Sequence, residues 1–109
     1  MLKKIKEILN RSFDNKEISY KKMNEILKNR NAYLIDVRSI QEYKEGHLNG
    51  AINIPVFEIE RKIEEVVKNK ETDIIVYCSS GGRSRQAKEI LDRLGFKNVY
   101  NLKATNLNL

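Results

Sequence analysis

The sequence contains a single cysteine, Cys78, and its neighbours are residues that turn a thiol into a nucleophile. Cys78 ends an apolar run, residues 74–77, and a stretch of small polar residues with one arginine follows it. That stretch consists of Ser79, Ser80, Gly81, Gly82, Arg83 and Ser84. A cysteine between a buried strand and the start of a helix is a typical place for a reactive thiolate.

The Gly81-Gly82 pair allows the backbone to curl so that successive N–H groups point inward and bind an anion beside the helix N-terminus. Arg83 adds a full positive charge. These surroundings favour a thiolate over a thiol, and they stabilise a persulfide anion equally well. The alternative is a small buried hydrophobe followed by a tight turn. The combined order of strand, cysteine, glycine-rich loop, arginine and helix favours the nucleophile.

A second group of polar residues, Asp36, Arg38, Glu42 and His47, lies about forty residues earlier. Asp36 and Arg38 flank a strand end, and with Glu42 they can form a charge-assisted network that fixes the neighbouring loop. His47 follows a glycine and is better suited to satisfying backbone groups than to acting as a base. A thiolate already ionised by its loop needs no general base, so we expect supporting roles for all four residues.

The spacing of apolar residues predicts alternating helices and strands. Helices are predicted over residues 1–13, from Ser19 as N-cap to 29, over 40–45, over 59–67 and over 87–94. Strands are predicted over 33–37, 51–54, 74–78 and 98–102. Gly46 is predicted to end its helix in a left-handed conformation. Apolar strands alternating with helices indicate an α/β fold of three layers, with a mostly parallel central sheet of about four to five strands.

Length and charge indicate one domain with a basic extension. The chain has 109 residues, 40% of them hydrophobic, and a formal net charge of +6. Residues 1–30 hold nine Lys or Arg against four acids, whereas residues 31–109 hold twelve against eleven. We therefore divide the chain into a basic amphipathic helix, 1–16, and a main domain, 17–109. Solvated lysines on a helix are the commoner explanation of such a surplus, which disfavours nucleic acid as a partner.

One cysteine excludes an internal disulfide, and the sequence holds no Cys/His cluster for zinc, so we expect no metal. The lysines of the first seven residues interrupt any apolar signal core, and no apolar run has membrane-spanning length. We therefore expect a cytoplasmic protein without a membrane contact.

Three ordered motifs resemble those of the rhodanese-like domains. The first is the loop Cys78-x-x-Gly81-x-Arg83-Ser84. The second runs over residues 34–38, then 42–43, then 46–55, and the third runs over residues 94–102. The resemblance covers about residues 18 to 102, with the motifs in the family order. The resemblance implies a rhodanese-like fold and a thiosulfate sulfurtransferase activity.

In that resemblance Cys78 accepts a sulfane sulfur as a persulfide, and residues 79–83 form the cradle for the anionic substrate. The donor is thiosulfate or a similar small anion, and the acceptor is cyanide, a thiol or a relay protein. No cofactor is implied beyond the covalent persulfide, and the protein is expected to be a monomer or weak homodimer. Related phosphatases and arsenate reductases have a loop one residue longer, which makes them a weaker alternative.

The end of the chain departs from the family pattern. After residue 102 the family continues with a Gly-Gly pair and a closing helix, whereas this sequence stops at Leu109. The departure keeps open a binding or regulatory module that has lost turnover. It also predicts that one sheet face is less covered, and that the helix of residues 1–13 packs there instead.

Overall fold

Five parallel strands in the order β1-β5-β4-β2-β3 form the centre of the molecule. The computed structural model describes residues 16–29 and 31–103. The strands are β1 Glu17–Ile18, β2 Tyr33–Asp36, β3 Ile52–Asn53, β4 Asp73–Tyr77 and β5 Asn98–Leu102. The helices are α1 Tyr20–Leu27, α2 Ile40–Glu45, α3 Ile59–Val66 and α4 Gly82–Arg93, with a 3-10 turn at Val56–Glu58. The predicted α/β fold with a parallel sheet is confirmed.

The sheet is apolar because helices cover both of its faces. Residues 74–77 of β4 are completely buried, and so is Ile35 of β2. On one face α3 and α4 pack over the sheet; the buried core there includes Ile35, Ile59, Ile63, Val76, Ala87, Leu91 and Val99. On the other face α1 and α2 cover Leu34, Ile75, Tyr77 and Leu102. This arrangement gives the three layers that the alternating pattern predicts.

Local hydrogen bonds explain where the helices begin. Ser19 caps α1 by accepting a hydrogen bond from the Lys22 amide at 3.1 Å. Ser39 and Glu42 form a reciprocal capping box at the start of α2, an arrangement that satisfies two backbone donors at once. Within the described residues, no helix combines the length and apolar character needed to cross a membrane.

The left-handed conformation predicted for Gly46 is wrong. Gly46 has φ 158° and ψ 140°, which is close to extended backbone. Its amide still donates to the Tyr43 carbonyl at 3.2 Å, while its carbonyl accepts a hydrogen bond of 2.6 Å from Arg38 Nη2. The extended conformation directs this carbonyl toward Arg38.

Two short elements are additional to those predicted, namely β1 and the 3-10 turn. The strand predicted over 51–54 is limited to Ile52–Asn53, and β4 ends one residue before Cys78. The helix predicted for residues 1–13 and the chain after residue 103 lie outside the described residues, so the packing proposed for them stays a prediction.

Candidate active site

The candidate site lies at the carboxyl edge of the sheet, between the adjacent strands β2 and β4. Asp36 ends β2, and Tyr77, its register partner, ends β4. The chain leaves β2 toward α2 on one face and leaves β4 toward α4 on the opposite face. Parallel sheets bind ligands at such a switch point because the diverging loops open a crevice.

Two backbone amides donate to the sulfur of Cys78, and the Ser84 hydroxyl lies beside it as its third hydrogen-bond partner. The Gly81 amide lies 3.0 Å from Sγ, and the Ser84 amide and hydroxyl each lie 3.4 Å from it. Burial raises the pKa of the thiol, but hydrogen bonds from the Ser84 hydroxyl and from the amides of Ser84, Gly81 and Ser80 outweigh it. The pKa of Cys78 is therefore lowered, which favours the thiolate.

The Ser84 hydroxyl has two partners for its single proton. Its oxygen lies 3.2 Å from the Gly81 carbonyl as well as 3.4 Å from the Cys78 sulfur. Beside a thiol it accepts from S–H and donates to the carbonyl, whereas beside a thiolate it can turn and donate to sulfur. Ser84 is completely buried, so this rotation adapts the site to both states of the sulfur without help from solvent.

Only one of the two loop glycines has a conformation that needs glycine. Gly81 has φ 93° and directs its amide at the sulfur. Gly82 is the first residue of α4 and does not have a positive φ. The expectation that both glycines curl the loop is therefore correct for Gly81 and wrong for Gly82.

The Arg83 side chain forms an ion pair with the carboxylate of Glu42. Its Nη1 and Nη2 donate to Glu42 Oε1 and Oε2 at 2.6 and 3.0 Å, and Nη2 also lies 3.0 Å from the Ser79 hydroxyl. The hydrogen bond from Arg83 is the main cause that lowers the pKa of Glu42 to about 2. We expected the positive charge of Arg83 to be available to an anion in the loop, but it is paired with the Glu42 carboxylate.

The network expected from Asp36, Arg38 and Glu42 is divided into two pairs. Arg38 Nη2 donates to Asp36 Oδ2 at 2.7 Å, and Nε donates to Oδ1 at 3.0 Å. Both side chains are almost fully buried. Glu42 belongs instead to the pair with Arg83, because α2 places it beside the cysteine loop. The three residues therefore support two different loops.

The Tyr77 side chain connects the end of β2 with the chain that follows α2. It is not one of the predicted site residues. Its hydroxyl donates to Asp36 Oδ2 at 2.9 Å and accepts from the Leu48 amide at 3.0 Å. Burial is the main reason why the pKa of Tyr77 is raised, so the hydroxyl keeps its proton. The sequence does contain a signal for Tyr77. Tyr77 directly precedes Cys78 and is the last residue of the buried strand β4, which ends at the crevice.

His47 takes part in the end of α2. Its Nδ1 lies 2.8 Å from the Tyr43 carbonyl oxygen, and its ring stacks on the Tyr43 ring with 3.6 Å between centroids. A carbonyl can only accept, so Nδ1 carries the proton. These contacts accord with the supporting role expected of His47, and they give it no contact with the Cys78 sulfur.

The loop covers the sulfur completely. Cys78 is 0% exposed, whereas Ser79, Ser80 and Gly82 are exposed. A donor can reach Sγ only after the loop moves. Across residues 16–29 and 31–103, no three His, Cys, Asp or Glu side chains are grouped to hold a metal ion.

Comparisons with known proteins bear on the family and the fold of this chain. The sequence profile described as "Rhodanese-like domain" matches residues 19–104. The chain is 45% identical over 67 residues to the thiosulfate sulfurtransferase PspE of Escherichia coli K12, covering 62% of this chain and 64% of the relative. It is 40% identical over 90 residues to a tRNA uridine(34) hydroxylase of Buchnera aphidicola, covering 79% of this chain but 29% of the relative.

Solved structures show the same fold. The human single-domain sulfurtransferase TSTD1 superposes with a TM-score of 0.71 at 26% identity, covering 84% of this chain and 91% of that one. A rhodanese with anions from Escherichia coli superposes with a TM-score of 0.62 at 43% identity, covering 64% of this chain and 82% of that one.

Proposed function

From the chain's membership of the rhodanese-like domain family, established by the match over residues 19–104, we propose that it is a sulfurtransferase of the thiosulfate type. It takes a sulfane sulfur from a small anionic donor, holds it as a persulfide on Cys78 and passes it to a thiophilic acceptor. The acceptor is cyanide, a thiol or a sulfur-relay protein, and we place this chemistry in the cytoplasm.

Loading begins with attack by the Cys78 thiolate on the outer sulfur of the donor. With thiosulfate, a bond forms between Sγ and this sulfur, the S–S bond of the donor breaks, and sulfite leaves with the electron pair. The negative charge passes from Sγ to the new terminal sulfur. The hydrogen-bond partners from Gly81, Ser84 and Ser80 that face Sγ lie beside this charge, and we expect them to stabilise the persulfide anion as they stabilise the thiolate.

Transfer returns the enzyme to its first state. The acceptor attacks the terminal sulfur, the Sγ–S bond breaks, and Cys78 leaves as a thiolate. A low pKa makes Cys78 a good leaving group as well as a nucleophile. The reaction is ping-pong and needs no cofactor, because the sulfur is carried covalently.

The observation that carries the proposal is the convergence of the Gly81 amide and the Ser84 amide and hydroxyl on one buried sulfur. A structural cysteine has no need of several donors directed at its sulfur. Together they provide what an anionic sulfur requires in a protein interior.

Intact-mass analysis after incubation with thiosulfate tests the proposal. We expect the mass to increase by one sulfur atom and to return to its first value on addition of cyanide, with thiocyanate as product. Absence of the added sulfur under any loading condition would refute the function.

A catalytically weak or inactive binding or regulatory module is the second candidate, and the complete burial of Cys78 favours it. The same experiment separates the two functions. A module of this kind would retain its added sulfur in the presence of cyanide and thiols, whereas the transferase would lose it.

A further inference from the structure

The two most exposed large apolar side chains of the described residues lie together at the carboxyl edge of the sheet. Phe57 is 82% exposed and Ile40 is 60% exposed. The segments that contain them run side by side, because the Val56 amide donates to the Val37 carbonyl at 3.0 Å. The 3-10 turn that contains Phe57 also packs against α4, the helix that follows the cysteine loop. We call Ile40 and Phe57 the apolar patch.

The opposite side of the crevice presents three cations. Lys21 lies in the first turn of α1, Arg85 lies in the first turn of α4, and Lys103 follows β5. All three are exposed, and no side chain within residues 16–29 and 31–103 forms an ion pair with them. The Lys103 amide donates to the Ile18 carbonyl at 2.9 Å, which brings Lys103 beside the start of α1. We call Lys21, Arg85 and Lys103 the basic rim.

Arg85 lies on the flank of α4 that faces β1. Residues three and seven positions further along a helix share one face, and here these are Lys88 and Asp92. Both line a pocket together with Lys16, the residue before β1. Asp92 is already bound to Lys88 at 2.7 Å, and Glu89 forms no ion pair with Arg85 in the described part of the chain. The charge of Arg85 is therefore available to a molecule that approaches from this side.

Around the apolar patch, in contrast, the charges cancel. Arg83 is paired with Glu42, and the exposed Lys44 and Glu45 follow each other at the end of α2. Between residues 58 and 62 two acids stand beside two bases, joined by two ion pairs. The entrance to the cysteine loop is therefore apolar on one side and positively charged on the other.

We propose that the apolar patch and the basic rim dock an acidic sulfur-acceptor protein, which presents its thiol on a segment with apolar neighbours. Carboxylates of the partner face the basic rim, and apolar side chains cover Phe57. A second copy of this chain has a net charge of +6 and would be repelled. A nucleic acid would supply neither the apolar cover nor, ordinarily, the thiol. The inference rests on the sulfurtransferase function proposed above and names the partner that receives the sulfur.

Transfer to such a partner balances in atoms and electrons. The thiolate of the partner forms a bond to the terminal sulfur of the Cys78 persulfide, the Sγ–S bond breaks, and Cys78 leaves with the electron pair. The partner becomes the persulfide, and no oxidant or reductant is consumed. Because Cys78 is completely buried, the segment of the partner reaches the sulfur only when the cysteine loop has moved.

The experiment loads the wild-type protein with sulfur from thiosulfate, removes the donor and measures transfer to synthetic peptides. One peptide has leucine and phenylalanine beside its cysteine and aspartates at both ends, and a second has lysines in place of the aspartates. Each rate constant is divided by that of the same peptide with methyl methanethiosulfonate, since neighbouring charges alter the pKa of a thiol. We expect the acidic peptide to react at least about tenfold faster at low salt, and this advantage to disappear in about 1 M salt.

Neutralising the basic rim should remove the same advantage. The rim variant combines Lys21→Gln, Arg85→Gln and Lys103→Gln. The matched control variant removes three exposed charges from the opposite edge of the sheet by Lys28→Gln, Lys68→Gln and Arg93→Gln. The ratio of the rate constants for the acidic peptide and for uncharged 2-mercaptoethanol should fall about tenfold in the rim variant. It should change by less than about twofold in the control variant.

Phe57→Ala tests the apolar patch. It should lower the rate constant for the acidic peptide about threefold, because the leucine and phenylalanine of the peptide lose an apolar partner. A peptide with alanines beside its cysteine should be insensitive to the change, which isolates the contact from other effects of the substitution. Equal losses with both peptides would overturn the contact with Phe57.

Binding without transfer separates this inference from the function. A fluorescent acidic peptide with serine in place of cysteine should bind the unloaded wild type, and should bind the rim variant at least about fivefold more weakly. No preference for the acidic peptide, equal effects of the rim and control variants, or tighter binding of a uridine oligonucleotide of equal charge would overturn the docking surface. Failure of Cys78 to load would refute the sulfurtransferase function and the acceptor role, whereas peptide binding would still show whether the surface exists.

Discussion

At the scale of single residues, the reactivity of Cys78 depends on short-range donors. The Ser84 hydroxyl and three backbone amides oppose the effect of burial on its pKa, while the nearest arginine is bound to Glu42. Backbone amides are fixed by the loop and cannot be titrated. The thiolate is therefore stabilised by geometry that persists over the whole working range of pH.

Replacing Cys78 with serine should abolish sulfur loading, because a hydroxyl ionises far less readily than a thiol. The fold should remain, since the change removes no apolar group larger than sulfur. Intact mass after thiosulfate treatment measures the loading, and circular dichroism is the control for folding. A folded variant that still gains sulfur would show that Cys78 is not the carrier.

Replacing Ser84 with alanine should raise the pKa of Cys78, because it removes the largest of the hydrogen-bond contributions that lower it. The pH profile of iodoacetamide alkylation should move to higher pH, so alkylation at neutral pH becomes slower. Ser84→Thr keeps the hydroxyl and should retain the wild-type profile. An unchanged profile in Ser84→Ala would leave the amides as the sole source of thiolate stabilisation.

The sequence predicts the residues of the cysteine loop better than it predicts the distant residues that bind this loop. Cys78, Gly81 and Ser84 are contiguous enough for local spacing to relate them. The pairing of Glu42 with Arg83 joins residues 41 positions apart, and it depends on how α2 is oriented across the crevice. Local sequence therefore assigned Glu42 to Asp36 and Arg38, its neighbours along the chain.

At the scale of elements, the loop and the two helix starts beside it act as one unit. Gly81 is the N-cap of α4 and a donor to the sulfur, and the capping box of α2 holds the residue that binds Arg83. Backbone conformation at these two caps consequently determines the electrostatics of the site.

The two loop glycines should respond differently to alanine. Gly81→Ala forces a side chain into left-handed backbone, which costs about 1–2 kcal/mol, and should also slow alkylation of Cys78 by misdirecting the amide. Gly82→Ala lies at the start of a helix with no atom near the added Cβ, so it should be neutral or stabilising by up to about 1 kcal/mol. Urea denaturation measures the free energy of unfolding of both variants. Equal losses of stability would contradict the conclusion that only Gly81 needs to be glycine.

Glu42→Gln should change the acid dependence of stability. The folded pKa of Glu42, about 2, lies below its ordinary value of 4.5, so the ionised carboxylate stabilises the folded state above pH 4.5. That contribution disappears as the pH falls from 4.5 toward 2. The stability difference between wild type and variant should therefore shrink over this interval and stay constant above it, as urea denaturation at several pH values would show. Glu45→Gln is the control.

Element boundaries were predictable where a capping residue and apolar spacing coincide, as at Ser19. The strand β1 has two residues and the 3-10 turn has three, too few to establish a period. β1 forms because its backbone pairs with β5 at Glu17 and Ile18, a long-range contact that the local sequence does not encode.

At the scale of the whole molecule, the site depends on a sheet that is rigid because both faces are packed. The central strands β2 and β4 carry the two loops of the crevice, and their residues have few exposed atoms. Fold class was predictable because uniformly apolar strands require cover on both sides. The order of the strands depends on which helix lies on which face, and spacing alone does not determine it.

Two apolar residues provide a test of where stability resides. Ile63 of α3 is 0% exposed and lies in the core between sheet and helices, whereas Phe57 is 82% exposed. Ile63→Ala should reduce the free energy of unfolding by about 2–5 kcal/mol. Phe57→Ala should change it by no more than about 0.5 kcal/mol. Chemical denaturation gives both values, and a large cost at Phe57 would show that the described surface is covered by another part of the chain or by a second copy.

The complete burial of Cys78 bears on how long the proposed sulfurtransferase would survive in the presence of peroxide. An exposed thiolate is oxidised through sulfenic acid to sulfinic and sulfonic acids, and the later steps are irreversible. Here peroxide and sulfur donor both depend on opening of the loop, but only the anionic donor is attracted by the amides that face the sulfur. In the proposed sulfurtransferase, the loop would therefore favour loading over oxidative inactivation and give the thiol of Cys78 a longer working life.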